Sequence, residues 1–371
     1  MGASLGFIPG FLATALSEDL DVSRGMIGLI VGIYFGATGI GSIPAGRFTD
    51  KFGARNVATI NMLLVAGSSL LIAIFDSYTM WIIGSVVGGM GYALGNTSTN
   101  VAIGHAVPIE RRALAMSIKT SGVPLMATIA AAITPWAANV WSWERVLVFN
   151  AIVASISGIF TYFVLHDDRS ESITGSAPTP LPKDFYWFGI AAFLLIGGSQ
   201  PLYSWTVSYL EESLNAPASL SGGIMAIASF IGVIVMITNG LWADRLGELK
   251  RIPLVMLLLS VSALSVCLVI LGTVLGTFVV VIGLTLGVST QLAAIGTMHA
   301  AVIDKAPKSV GRATGVTMTG YYLGALVTPA GFGLLVDISD TYIYSWLATL
   351  VILITAVGAW HRAGKVQTQG E

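Results

Sequence analysis

The chain has 371 residues, of which 55% are hydrophobic and only 10% are charged. A soluble domain usually carries about 25% charged residues, so this composition excludes a water-soluble globular protein. The net charge is −1, and the basic residues are scattered along the chain rather than gathered on one face, which argues against nucleic-acid binding. The single cysteine, Cys267, excludes an internal disulfide and a cysteine-based metal cluster. We expect neither a cofactor nor a metal.

Apolar segments long enough to cross a hydrocarbon core of about 30 Å recur from one end of the chain to the other. Charged residues and Pro, Gly and Ser clusters separate twelve of them. They are predicted at 2–16, 25–48, 57–75, 79–104, 113–138, 145–165, 185–210, 219–242, 252–271, 275–300, 313–336 and 341–361. The predicted fold is therefore an all-α integral membrane protein with twelve transmembrane helices.

The first segment is shorter than the others. Roughly 15 residues at ~1.5 Å each span only ~22 Å, which is less than the hydrocarbon core. A truncated chain or a mis-assigned start is one explanation, and local tilting or thinning of the bilayer is the other.

The longest polar stretch, 166–184, is rich in Pro and Ser and lies between the sixth and seventh segments. It is predicted to be a cytoplasmic linker. The linker would join an N-terminal six-helix bundle at 1–165 to a C-terminal six-helix bundle at 185–371.

The Lys and Arg residues fix the expected orientation. With Met1 in the cytoplasm, fifteen of them fall in cytoplasmic loops and the C-terminal tail, whereas only Arg24 and Arg145 fall in the opposite loops. The positive-inside rule therefore places both termini in the cytoplasm. We expect a multi-pass protein of the inner (plasma) membrane, monomeric, with the lipid bilayer as its surroundings.

Two corresponding loops, after the second and eighth segments, repeat one pattern of glycine, aspartate and basic residues. Glycines allow close packing and positive φ, while an acid can accept from helix-terminal N–H groups and pair with the basic residues. Such a cluster could hold one conformation, although ordinary positively charged inner loops would also explain it. The residues are Gly46, Asp50, Lys51, Gly53 and Arg55 in the first loop, and Gly240, Asp244, Arg245 and Gly247 in the second.

The first loop resembles the signature of the major facilitator superfamily, Gly-x-x-x-Asp-Arg/Lys-x-Gly-x-Arg/Lys, and the second resembles its usual echo. With the helix count and the linker, the resemblance covers the whole chain. It implies two bundles that move about a central cavity, with Asp50 and its basic partners forming a gate contact to the neighbouring half. The stretch from Lys119 to Pro124 is also similar to the fifth helix of cyanate-transporter-like bacterial permeases.

Lys119 is the one basic residue inside an apolar segment. It lies six residues, or roughly 9 Å, into its helix, and no acid in the apolar spans is available as a partner. Its long stem could snorkel to the cytoplasmic surface. Alternatively, it faces the cavity and holds an anionic substrate.

Other polar residues fall near the middle of the predicted spans, where the family has its cavity. Each is equally well explained by an interhelical hydrogen bond, but together they favour a hydrated pathway. The further substrate-binding candidates are Tyr34, Asn96, Asn100, Gln200, Tyr203, Gln291, Tyr321 and Tyr322.

The sequence therefore predicts a secondary active transporter of a small polar solute, and of an anion if Lys119 faces the cavity. An integral-membrane enzyme is disfavoured because no paired carboxylates, His cluster or activated nucleophile occurs within reach. A non-transporting sensor or scaffold on the same fold remains the alternative. With no carboxylate in the apolar spans, proton coupling would run through Lys119, His299 or an acid at a helix end, so uniport, exchange and co-transport of an ion all stay open.

Overall fold

The computed structural model describes residues 2–106, 112–165, 180–306 and 309–367, except for some side chains at helix ends. These residues fold into helices and short turns, and they contain no β-strand. Most of the predicted linker, 166–179, lies outside the described residues, as does Arg111.

Fourteen helices are present within the described residues. They are α1 (Ser4–Phe11), α2 (Ala13–Leu20), α3 (Arg24–Phe52), α4 (Ala54–Phe75), α5 (Tyr78–Ala106), α6 (Arg112–Val140), α7 (Trp143–Val164), α8 (Tyr186–Leu214), α9 (Ala218–Leu246), α10 (Glu248–Leu275), α11 (Thr277–Gln291), α12 (Ala293–Lys305), α13 (Val310–Ser339) and α14 (Ile343–Gly364).

The fourteen helices correspond to the twelve predicted segments because two segments are broken. α1 and α2 are separated at Leu12, and α11 and α12 at Leu292. In the described part of the chain, nine spans are long and apolar enough to cross a bilayer, and one of these is the α11–α12 pair. The α1–α2 pair, α5 and α8 pack among these spans, an arrangement consistent with twelve.

The repeated loops are much shorter than the sequence suggested. Gly46 and Lys51 belong to the last turns of α3, and only Gly53 separates α3 from α4. In the second repeat, Gly247 alone separates α9 from α10. Both glycines have positive φ, 81° and 76°, so a single residue without a Cβ suffices to reverse the chain. The predicted segment bounds, 48 to 57 and 242 to 252, therefore left these connections too long.

The second and eleventh spans, α3 and α13, pack closely from Gly25 to Gly39, and two of their glycines beyond that region have no described neighbour. A Cβ added to Gly28 would collide with the Pro329 carbonyl oxygen, and one added to Gly32 would collide with that of Leu326. Gly46 continues the row of Gly28 and Gly32 along α3, and Gly315 continues the row of Leu326 and Pro329 along α13. Successive contact positions in each row are three, four or seven residues apart, so Gly46 and Gly315 lie on the same faces near the other end of the pair. An added Cβ at either of them meets no atom of the described residues within 4 Å.

A second helix pair, α6 and α9, shows the same asymmetry. Gly222 packs directly against the Ala131 carbonyl. Gly240 lies 18 residues, or five turns, further along the same face of α9, and a Cβ there meets no described atom within 4 Å. We call the end of the molecule that bears Gly46, Lys51 and Gly240 the basic end, and the end that bears Arg24 the Arg24 end. Both pairs pack tightly at the Arg24 end, whereas at the basic end no described atom lies within 4 Å of a Cβ added to Gly46, Gly240 or Gly315.

Candidate transport site

Lys119 contacts a neighbouring helix rather than extending to the surface. From α6 its ammonium donates to Asn100 Oδ1 at 2.7 Å, to the Asn96 backbone oxygen at 3.3 Å and to Asn96 Oδ1. Asn96 and Asn100 are one turn apart on α5 and so share a face. This geometry differs from the snorkelling alternative, because the side chain is held across the helix pair.

All three acceptors of Lys119 are neutral amide oxygens. Among the described residues, the ion pairs involve Arg24 and Arg251 with nearby acids, and no carboxylate is bonded to Lys119. Lys119 and Asn96 are half-buried, and Asn100 is exposed. Within the part of the chain that the structure describes, the cluster therefore presents a positive charge without a counter-ion, at a position that solvent reaches.

His299 of α12 faces this cluster from the other half of the chain. It lies within electrostatic reach of Lys119, and its Nδ1 is 2.8 Å from the Ile295 backbone oxygen. The site is thus bordered by α5 and α6 on one side and by α12 on the other. Sequence reasoning named His299 only as a position for proton coupling.

Tyrosines cluster where α3, α5 and α13 meet. Tyr34 is fully buried, donates to the Gly2 carbonyl at 2.6 Å and stacks on Tyr92, with ring centroids 6.1 Å apart. Tyr322 packs against Gly39 of α3, and its ring is perpendicular to that of Tyr321. Sequence reasoning missed Tyr92, although the four-residue spacing of Tyr92, Asn96 and Asn100 was a signal for a shared face.

The remaining three substrate candidates are buried. Gln200, Tyr203 and Gln291 are only 3%, 1% and 1% exposed, so they do not line an open cavity in this conformation. Gln291 is the last residue of α11, and neither its Oε1 nor its Nε2 has a hydrogen-bond partner among the described residues. The sequence did not show that neighbouring helices cover these side chains.

The repeated motif makes local contacts at the basic end. Lys51 is exposed beside the Phe52 ring, and the Arg55 guanidinium lies over the Tyr162 ring with its carbon 4.7 Å from the centroid. The Asp50 side chain lies outside the part that the structure describes.

The second repeat is also held within its own half. Asp244 is 3.6 Å from Arg251, which in turn donates to both carboxylate oxygens of Asp304 at 2.6 and 2.8 Å. These three residues belong to α9, α10 and α12, so the Asp244 ion pair does not cross to the first half. That contact is compatible with a basic end that is open.

Comparison with known proteins agrees with this architecture. A family model described as Major Facilitator Superfamily matches residues 1–329. The chain belongs to the Major Facilitator Superfamily. The family, its named relatives and the apolar helices together indicate a multi-pass membrane transporter rather than an enzyme.

Two curated relatives and one solved structure illustrate the similarity. The chain is 24% identical over 406 residues to the gentisate transporter of Corynebacterium glutamicum, covering 97% of this chain and 86% of the relative. It is also 24% identical to the 4-hydroxybenzoate transporter PcaK of Acinetobacter baylyi, but that match covers 42% of this chain and only 34% of the relative. The xylose transporter XylE from E. coli, in an inward open conformation, superposes with a TM-score of 0.78 at 14% identity, covering 100% of this chain and 95% of that one. At that identity the superposition shows the fold alone.

Proposed function

We propose that this chain carries a small organic anion across the plasma membrane by alternating access, and that Lys119 supplies the charge that holds the anion. The observation that carries the proposal is the Lys119 ammonium, which is half-buried among the amide oxygens of Asn96 and Asn100 without a carboxylate partner in the described residues. A lysine within a membrane-spanning helix is costly unless it has a function or a partner. An anionic solute would provide the missing counter-charge.

The shape of the helix packing supports access from one side at a time. α3 and α13 meet tightly at the Arg24 end, as do α6 and α9, and at the basic end no described atom lies within 4 Å of a Cβ added to Gly46, Gly240 or Gly315. By the positive-inside rule the basic end faces the cytoplasm, and we infer a state that is open to the cytoplasm. Residues 1–165 and 185–371 are the two bundles that would rock about the Lys119 cluster.

The relatives supply a chemical class for the first probes. 4-Hydroxybenzoate and gentisate, the solutes named for the two relatives, are carboxylates on hydroxylated benzene rings. A carboxylate suits the Lys119 ammonium, and the tyrosines on α3, α5 and α13 offer ring faces and hydroxyl groups nearby in the fold.

Equilibrium binding of labelled 4-hydroxybenzoate and gentisate to the purified protein tests the role of Lys119. Lys119→Gln should weaken binding about tenfold to hundredfold, since a hydrogen bond to a charged group contributes about 1.5 to 3 kcal/mol. Lys119→Arg should retain part of the affinity, because the charge persists while the donor geometry changes.

Lys250→Gln is the matched control because Lys250 is exposed at the basic end, outside the cluster. It should bind as tightly as the wild type. If Lys119→Gln binds a transported anion with unchanged affinity, the proposed role of Lys119 is wrong.

A further inference from the structure

Arg24 is one of only two basic residues that the charge distribution places on the outer side, and the transport site does not use it. It is the first residue of α3, at the end opposite Lys51. Its side chain is 35% exposed, so part of it is withdrawn from solvent.

The Arg24 side chain is bound to the last turn of α8. Its Nε donates to Glu212 Oε2 at 2.7 Å, and a second N–H of the same guanidinium reaches the same oxygen. The Tyr342 hydroxyl donates to that oxygen at 3.0 Å, and the Arg24 guanidinium carbon lies 5.9 Å from the centre of the Tyr342 ring. Burial and then the Glu212 charge raise the pKa of Tyr342, so the phenol stays protonated and able to donate.

A separate set of bonds ties the start of α3 to α13. The Asp337 carboxylate accepts from the backbone N–H of Arg24 at 3.0 Å and from that of Gly25 at 2.8 Å. It is also 3.7 Å from the Arg24 guanidinium. The carboxylate therefore satisfies backbone donors at the positive end of the α3 dipole, which is a stabilising position for an acid.

We propose that Arg24, Glu212, Asp337 and Tyr342 form a latch that holds the Arg24 end closed and opens in each transport cycle. The bonds of Arg24 and Gly25 connect α3, in the predicted N-terminal bundle, with α8 and α13, in the predicted C-terminal bundle. The Tyr342–Glu212 bond lies within the C-terminal half and holds the acceptor of Arg24 in place. Next to the latch, on its side toward the middle of the molecule, α3 and α13 stay in contact where Gly28 packs on Pro329. Separation of the two bundles at this end therefore requires the ionic contacts to break first.

The partial exposure of the latch suits reversible opening. Exposed ion pairs are weak, and the additional hydrogen bonds here strengthen the contact. We expect the latch to shift the equilibrium between its closed and open states about fivefold to tenfold, which does not lock it.

Labelling of introduced cysteines by a water-soluble maleimide measures this equilibrium without any substrate, so its outcome does not depend on which solute is carried. Cys267→Ser provides the background. Ser208→Cys reports on the Arg24 end, because Ser208 is buried one turn below Glu212, with its Oγ 3.5 Å from the Gly10 carbonyl across the two halves. Gly315→Cys reports on the basic end, where an added side chain meets nothing within 4 Å. Lipid nanodiscs leave both ends accessible to the reagent.

Arg24→Gln and Glu212→Gln should each raise the labelling rate at the Ser208→Cys reporter about fivefold and lower the rate at the Gly315→Cys reporter. Arg24→Lys should give an intermediate rise because it keeps the charge but not the paired donors. High salt should raise labelling at the Ser208→Cys reporter in the unmodified latch, but not in the Arg24→Gln variant.

Asp340→Asn is the control for charge alone. Asp340 is exposed at the same end, and asparagine tolerates its left-handed φ of 52°. Its labelling should match that of the unmodified latch. The latch is refuted if Arg24→Gln and Glu212→Gln leave the Ser208→Cys rate unchanged, if Asp340→Asn raises it equally, or if both reporters rise together, which indicates a loosened fold.

Discussion

At the scale of single residues, the neutral partners of Lys119 matter as much as its charge. Asn96 and Asn100 accept hydrogen bonds from its ammonium without neutralising its charge. The ammonium is therefore oriented and can still attract an anion. A carboxylate in the same place would form an internal ion pair instead. The asparagines therefore position the charge.

This role predicts that Asn96→Asp impairs anion binding while preserving side-chain size. The new carboxylate would pair with Lys119 and compete with the solute, so affinity should fall at least about tenfold. Binding of labelled 4-hydroxybenzoate measures the effect. Asn56→Asp on α4 is the control, because it adds the same charge outside the Lys119 cluster, where the Asn56 side chain donates to the Phe52 carbonyl. An affinity unchanged by Asn96→Asp would show that the anion does not use the Lys119 cluster.

The sequence alone named the candidate residues but did not show which way their side chains face. Lys119, Asn96 and Asn100 come together in the structure. Tyr34 and Gln291 are covered by neighbouring helices. Helices that are apolar on all sides carry little periodic signal, so the face that turns toward the cavity cannot be read from one sequence.

At the scale of helices, two single glycines set the connections at the basic end. Gly53 has φ 81° and ψ 150°, a region open essentially to glycine alone. Gly247 has φ 76° and ψ 176° in the corresponding position. The repeat in the sequence is thus a repeat of backbone conformation.

Gly53→Ala should therefore destabilise the protein by about 1 to 3 kcal/mol, since alanine is strained in that conformation. Gly67→Ala is the matched control, because Gly67 lies in the interior of α4 with nothing within 4 Å of an added Cβ. It should be neutral or slightly stabilising. Thermal unfolding in detergent compares the two, and equal midpoints would contradict the strain argument.

Helix existence was predictable because each span needs a long run of apolar residues, but helix ends were harder. Charged residues after Gly46 indicated a loop, yet α3 continues through them to Phe52. The helix break between α11 and α12 has leucine at position 292 rather than glycine or proline, so the residue pattern did not predict it.

At the scale of the whole molecule, two helix pairs indicate the same direction of access to the transport site. They are α3 with α13 and α6 with α9. Each packs tightly through small residues at the Arg24 end and has glycines without a described neighbour at the basic end. The glycines at 46, 240 and 315 lie on the faces that would meet if the basic end closed. A carrier with these features exchanges between two states that expose one site to opposite sides.

Counterflow in proteoliposomes tests this account most directly. Vesicles are loaded with unlabelled 4-hydroxybenzoate or gentisate and diluted into a trace of the labelled anion without any ion gradient. Alternating access predicts a transient accumulation of label above its external concentration, reduced strongly by Lys119→Gln and preserved by Lys250→Gln. Equilibration of label without the transient would indicate a channel, and the absence of both flux and binding across a panel of small anions would favour a sensor or scaffold; either result would contradict an anion carrier.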